Sequence, residues 1–262
     1  MPVADGTIID CFPFPSPHPN ILLYTVTYMV DGLKVKGLLA EPKGDEVLEG
    51  FLYLRGGINN VGKVRPGRII QFAAQGFIVF APFYRGNQGG EGYDDFVGEN
   101  RHDAYAAFSL LENHSRVKRV HVFGFSRGGL MALWTAISCY NVASLVTWGG
   151  VSDATLTYEE RVDMRRMLKR VVGGSPSKYP ERYDERTPLF HIERITCPVL
   201  IIHGVKDQNV SIKHAEKLEK KLLHYKKEVE CWYFHEYSHY FPPKINRQTV
   251  VNLTYWMKTF SE

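Results

Sequence analysis

Along this chain, apolar residues fall into short runs separated by longer polar stretches of helical period. The first two runs, ILLYTVTYMV (21–30) and LKVKGLLAEP (33–42), flank the pair Asp31–Gly32. Asp-Gly accepts the positive φ values of a tight turn, so the two runs are expected to form an antiparallel hairpin. Further runs recur at FLYL (51–54), FIVFAP (77–82), VHVFGF (120–125), SLVTW (144–148), PVLIIHG (198–204) and VECWYF (229–234). Helix-like stretches at about 64–75, 99–113, 127–139, 211–224 and 246–260 separate most of them. Strands that alternate with helices imply a mostly parallel sheet covered on both faces. The expected fold class is therefore α/β, with an antiparallel hairpin at its start.

Two stretches depart from that rhythm. FPFPSPHPN (12–20) carries proline at every second position. Fixed φ and missing N–H donors make it an extended arm, not a helix or a central strand. Residues 1–20 are expected to pack as an arm against a single domain formed by 21–262. The second stretch, 151–196, is longer than an ordinary crossover. It holds one amphipathic pattern, YEERVDMRRMLKRVV (158–172), and then Gly173, Gly174, Pro176 and Pro180. A cap-like insertion of that size is expected to cover a pocket at the sheet edge.

Composition narrows the function classes. With 262 residues, 44% of them hydrophobic, the chain can bury a substantial core. Its net charge of +4 is too small, and its basic residues too scattered, to point to nucleic acid. No window approaches 18 uninterrupted apolar residues, so no membrane span is expected. The opening MPVADGTIIDCFPFPSPHPN lacks the basic start and apolar run of a signal peptide. Cys11, Cys139, Cys197 and Cys231 form no CxxC or zinc-like spacing, which favours a reducing, cytoplasmic setting and no metal. Arg161, Arg165, Arg166 and Arg170 read first as a solvated helix face. If that helix roofs the pocket, one of them could grip a substrate carboxylate through two nitrogens. Homo-oligomerisation stays open.

The chemistry concentrates at RVHVFGFSRGGLMALWTAISC (119–139). A strand pattern ends at Gly124, Ser126 follows, and Gly128 and Gly129 open a helix pattern. Gly-x-Ser-x-Gly between strand and helix is the nucleophile elbow, in which the glycines remove side chains that would block the bend. The helix start directs free N–H groups at the hydroxyl, and the amide of Arg127 is placed to receive a developing oxyanion. A serine needs a base, and the base an orienting acid, each following a later strand. Asp207, after PVLIIHG, is the expected acid, with Asp153 as the rival that could instead cap a helix. In CWYFHEYSHYF, His239 lies further past the strand than His235 and is the expected base. The second oxyanion donor is expected in RGGINN (55–60), at Gly57. GINNVGK (57–63) imitates the start of a P-loop, but Val64 stands where Ser or Thr should hold magnesium.

Several blocks together resemble the catalytic domain of the prolyl oligopeptidase family of serine peptidases, within the α/β-hydrolase fold. They are LRGGI (54–58), APFYRGNQGGEGYDDF (81–96), GFSRGG (124–129), VGGSPSKYPERYDERTPLFHIERITCPVLIIHGVKD (172–207) and EYSHYF (236–241). The resemblance implies a triad of Ser126, Asp207 and His239, with an oxyanion hole from the N–H groups of Gly57 and Arg127. It also implies structural ion pairing among Arg85, Glu99 and Asp103. Arg55, Ile58 and Arg127 depart from the family's usual residues. Only 50 residues precede FLYL, so the family's propeller is expected to be absent from this chain. The expected activity is cleavage of a peptide or aminoacyl amide in a small or short-peptide substrate, without metal or cofactor. The alternatives are a carboxylesterase acting on small acyl esters and a non-catalytic binding protein on the same scaffold.

Overall fold

A computed structural model describes residues 3–59 and 61–260. Its strands are β1 (Ile8–Phe14), β2 (Ile21–Val30), β3 (Leu33–Pro42), β4 (Leu48–Leu54), β5 (Phe77–Pro82), β6 (Val117–Phe125), β7 (Val142–Trp148), β8 (Val199–Gly204) and β9 (Val229–Phe234). They form one sheet in the order β1-β2-β3-β5-β4-β6-β7-β8-β9. From β1 to β5 neighbouring strands run antiparallel, and from β5 across to β9 they run parallel. This is the α/β-hydrolase arrangement. The hairpin between β2 and β3 turns at Asp31 and Gly32, both at positive φ (50° and 77°), as its sequence requires.

The helices are α1 (Pro66–Ala73), α2 (His102–Glu112), α3 (Gly128–Ser138), α4 (Ala154–Glu160), α5 (Arg165–Val172), α6 (Pro180–Asp184), α7 (Ile212–His224) and α8 (Pro243–Lys258). Residues of α2, α3 and α7 pack into one apolar core. Residues of α1 and α8 pack into a second, with Phe51, Phe72, Phe77 and Phe123 against the opposite sheet face. The central strands are buried on both sides, which is why β5 and β8 read as unbroken apolar runs. Among the described residues, no helix is long and apolar enough to cross a membrane.

Three elements differ from the sequence pattern. Ile8–Phe14, read as part of an arm, is an edge strand paired antiparallel to β2. All its residues are exposed, so it carries no alternation, and Pro13 is tolerated because an edge strand has one unpaired side. The pattern at 158–172 is not one helix. Asp153 caps α4 by accepting from the Leu156 amide at 2.9 Å, so the helix starts at Ala154. It stops at Arg161, whose φ and ψ (−100° and 76°) leave the helical region, and a 3₁₀ turn precedes α5. The final helix begins three residues earlier than its apolar period, because Pro243 takes the first helical position.

Candidate active site

Ser126 lies between β6 and α3 at φ 56°, a left-handed conformation that costs a non-glycine residue about 1–2 kcal/mol. Three backbone bonds hold it there. Its N–H donates to the Trp148 carbonyl at 3.2 Å, and its carbonyl accepts from the Gly129 and Val151 amides, each at 2.9 Å. The flanking glycines are needed for space. A methyl group on Gly124 would strike the Gly128 carbonyl, one on Gly128 the Leu54 carbonyl, and one on Gly129 would lie 2.8 Å from the Gly150 Cα. On the far side of the turn, a methyl on Gly56 would stand 2.6 Å from the Ser126 Cβ. The elbow is thus clamped between β4 and β7, with its side chain on a cavity of about 720 Å³.

His239 lines the same cavity. Its Nδ1 is 2.7 Å from Asp207 Oδ2, and both side chains are almost wholly buried. The other carboxylate oxygen of Asp207 accepts from the Asn209 and Val210 amides at 2.8 and 2.9 Å. These bonds fix the carboxylate against the imidazole, with the Nδ1 proton directed at it. Phe125, next to the serine, places its ring 4.8 Å from the His239 ring. Gly149, at φ 51°, passes close behind, and a methyl there would be 3.1 Å from His239 Nδ1. His203, at the end of β8, donates through Nε2 to the Val210 carbonyl at 2.9 Å. Burial lowers its pKa, so it supports the Asp207 loop as a neutral group.

The loop after β4 is held by a residue that the sequence pattern did not assign to the site. Arg55 is buried and donates from Nη1 to the carbonyls of Gly56 (3.0 Å) and Val61 (3.1 Å). Its Nε and Nη2 both donate to the Phe83 carbonyl. In a trans peptide the carbonyl and the next N–H point in opposite directions. Tying down the Gly56 carbonyl therefore orients the Gly57 N–H away from Arg55. Gly57 itself, at φ 68°, lines the cavity. The companion amide, Arg127, is at the start of α3, where helix geometry leaves N–H groups without intrahelical partners. Asn60, the last residue of the expected donor loop, lies outside the described residues.

The Arg127 guanidinium is buried in an ion cluster. It clasps Asp94 through both terminal nitrogens, at 2.6 and 3.0 Å. Arg55 approaches the same carboxylate at 3.9 Å. The two guanidiniums stack over the Tyr84 ring, 5.0 and 5.1 Å from its centre. Burial and the Arg127 charge push Arg55 down to about 10, so it stays protonated at neutral pH. Burial alone would raise Asp94. The Arg127 charge and hydrogen bonds, the Phe96 amide and Arg55 outweigh it and hold the carboxyl below its ordinary value. One carboxylate, an aromatic face and three backbone carbonyls thus compensate two buried cations.

Other sequence assignments fall as follows. Asp153 is the α4 cap and pairs with Lys217, away from the Asp207–His239 pair. His235 is exposed just beyond β9. Arg85 pairs with Asp103 at 2.9 Å and Asp31 at 2.8 Å, and with exposed Glu99 at 3.9 Å, all away from the cavity. In the arginine cluster, Arg161 lines the cavity, but its guanidinium is already engaged by Asp163 at 2.9 and 2.7 Å. Arg165 turns back to the Tyr158 and Glu159 carbonyls, and Arg166 and Arg170 are exposed. The P-loop-like segment folds on itself, with Gly62 packed against the Gly56 carbonyl, and α1 starts only at Pro66.

The model of the prolyl oligopeptidase family matches residues 64–261. A Bacillus subtilis protein called uncharacterized peptidase YtmA is 61% identical over 254 residues, covering 96% of this chain and 99% of its own. Among solved structures, a Mycobacterium tuberculosis puromycin-hydrolyzing peptidase superposes with a TM-score of 0.76 at 24% identity, over 94% of this chain and 40% of that one. Acetyl xylan esterase 1 from a Thermoanaerobacterium species superposes with a TM-score of 0.72 at 16% identity, over 93% of this chain and 87% of that one. At those identities the two structures share the fold with this chain.

Proposed function

This chain belongs to the prolyl oligopeptidase family, and we propose that it is a serine hydrolase cleaving a peptide or aminoacyl amide bond through an acyl-enzyme. Ser126 Oγ attacks the carbonyl carbon while His239 Nε2 takes its proton. Asp207 holds the Nδ1 tautomer and stabilises the imidazolium. The Gly57 and Arg127 amides donate to the carbonyl oxygen as it becomes an oxyanion. Collapse of the tetrahedral species expels the amine, protonated by His239. Water, deprotonated by the same imidazole, then releases the acyl group and restores Ser126. The site of action in this reading is the cytoplasm, where four unpaired cysteines would stay reduced.

The observation that carries this reading is the buried 2.7 Å contact between His239 and Asp207 on the cavity where Ser126 is displayed at φ 56°. Family membership favours an amide. A second reading, hydrolysis of small acyl esters, draws on the superposition over 87% of an acetyl xylan esterase. Both use the same groups, because amide and ester differ mainly in how strongly the leaving atom needs protonation. Comparing kcat/KM for an aminoacyl p-nitroanilide and p-nitrophenyl acetate separates them, with Ser126→Ala as control. Anilide turnover that disappears in the variant supports the peptidase reading. Turnover of the ester alone favours the esterase. Equal turnover of either by the variant removes the serine mechanism, and turnover of neither by wild type leaves a binding protein on this scaffold.

A further inference from the structure

The cavity wall is strongly unbalanced in charge. Among the described residues it carries Lys63, Arg65, Arg68, Arg127, Arg161 and one carboxylate, Asp163. Asp163 is taken by Arg161, and Arg127 by Asp94. Lys63, Arg65 and Arg68 have no carboxylate within ion-pair distance among the described residues. Lys63 and Arg65 are exposed, whereas Arg68, on α1, is half-buried and held in place. Its guanidinium carbon lies 5.3 Å from the Trp148 ring centre, 5.6 Å from that of Phe125 and 5.7 Å from that of Phe72. Its Nε faces the Tyr53 hydroxyl at 3.4 Å, and its Nη1 donates to Asn246 Oδ1 at 3.1 Å. Nη2 has no hydrogen-bond partner among the described residues. The side chain is therefore preorganised by neutral groups, and part of its donor fork is left for a ligand.

From this arrangement we infer that Arg68 binds a free carboxylate on the leaving group of the substrate. The direction rests on the hydrolase reading above. His239 must protonate the departing atom, so the leaving group has to depart alongside that imidazole. Phe125 packs against His239, and Arg68 rests on Phe125, so a single ring separates the guanidinium from the proton donor. A carboxylate is the group that uses two parallel N–H donors of a guanidinium, and a cleft of one sign concentrates an anionic substrate. In a peptide, the leaving fragment that carries a carboxylate close to the scissile bond is a carboxy-terminal residue or dipeptide. Such a site selects short peptides with free carboxy termini.

The test uses one blocked peptide in two forms, carboxy-terminal acid and carboxy-terminal amide, differing only in that group. The expected wild-type preference in kcat/KM is about tenfold to hundredfold for the acid, the range of a hydrogen-bonded charged contact. In Arg68→Gln the acid-to-amide ratio falls toward one, while Arg68→Lys keeps part of it. Because the readout is a ratio within one protein, a general loss of stability cancels. Calorimetric binding of both peptides to Ser126→Ala protein gives a second readout that needs no turnover. Equal cleavage or equal affinity for the two peptides, or a preference that survives in Arg68→Gln, overturns the assignment. The hydrolase reading is judged separately, by anilide or ester turnover in wild type against Ser126→Ala.

Discussion

Replacing Arg55 with methionine tests how the loop proposed to supply the Gly57 oxyanion donor is held. Methionine keeps much of the aliphatic bulk under the Tyr84 ring but removes all four guanidinium bonds, to the carbonyls of Gly56, Val61 and Phe83. A buried carbonyl left without a partner costs about 1–3 kcal/mol. Against that, the substitution removes one of two cations sharing Asp94 and leaves the closer Arg127–Asp94 pair intact. The net destabilisation is expected at about 2–4 kcal/mol, a fall in Tm of roughly 5–10 °C for a domain of this size. Activity should fall further than stability explains. The Gly56–Gly57 peptide loses its anchor, and a mispositioned donor forfeits part of the 10²–10³ in rate that one oxyanion contact typically supplies. A drop in kcat of about tenfold to hundredfold with little change in KM is therefore expected at a temperature where the variant is folded. Arg55→Lys keeps the charge without the planar fork and should recover little. Steady-state kinetics beside a thermal melt decide it. A folded Arg55→Met enzyme with kcat within twofold of wild type would refute both the anchoring role and Gly57 as donor.

Asp94→Asn leaves two buried guanidiniums without their counter-charge and should cost about 3–5 kcal/mol, more than Arg55→Met, measured by urea unfolding. Gly56→Ala, whose methyl would press on the Ser126 Cβ at 2.6 Å, should lower kcat at least about 100-fold while the far-UV circular dichroism stays native. Acid should weaken the fold through His214. Burial pushes its pKa down to about 4, and its Nδ1 accepts from the Ser152 amide as a neutral ring. The unfolded state, titrating near 6.5, binds more protons between pH 4 and 6.5, so stability falls as pH drops through that window, by about 3 kcal/mol in all. Urea midpoints at pH 7 and pH 4.5 should differ less in His214→Gln than in wild type.

Much of this fold could be read because a buried parallel sheet writes itself as unbroken apolar runs. Phe77–Pro82 and Val199–Gly204 are buried on both faces and match their runs within a residue. The edge strand Ile8–Phe14 could not be read so, since exposure on both faces removes the alternation that marks a strand. Within the site, Ser126, Asp207 and His239 follow from glycine spacing and strand order, and the structure brings all three to one end of the sheet. The side-chain cluster of Arg55, Asp94 and Arg127 gave no such signal. Their partners are 33 residues apart or are backbone carbonyls, and charged residues in a sequence read as surface until a fold encloses them together. Arg68 was hidden for the same reason. Its contacts with Tyr53 and Asn246 join residues from three separate elements.

In the proposed mechanism Ser126 forms a covalent intermediate with His239 as its base. Intact-mass spectrometry after reaction with a fluorophosphonate tests this directly. The predicted result is a single adduct on the wild-type chain, mapped to Ser126 by peptide sequencing, and strongly slowed in His239→Ala. An adduct on another residue, or equal labelling rates with and without His239, would contradict it.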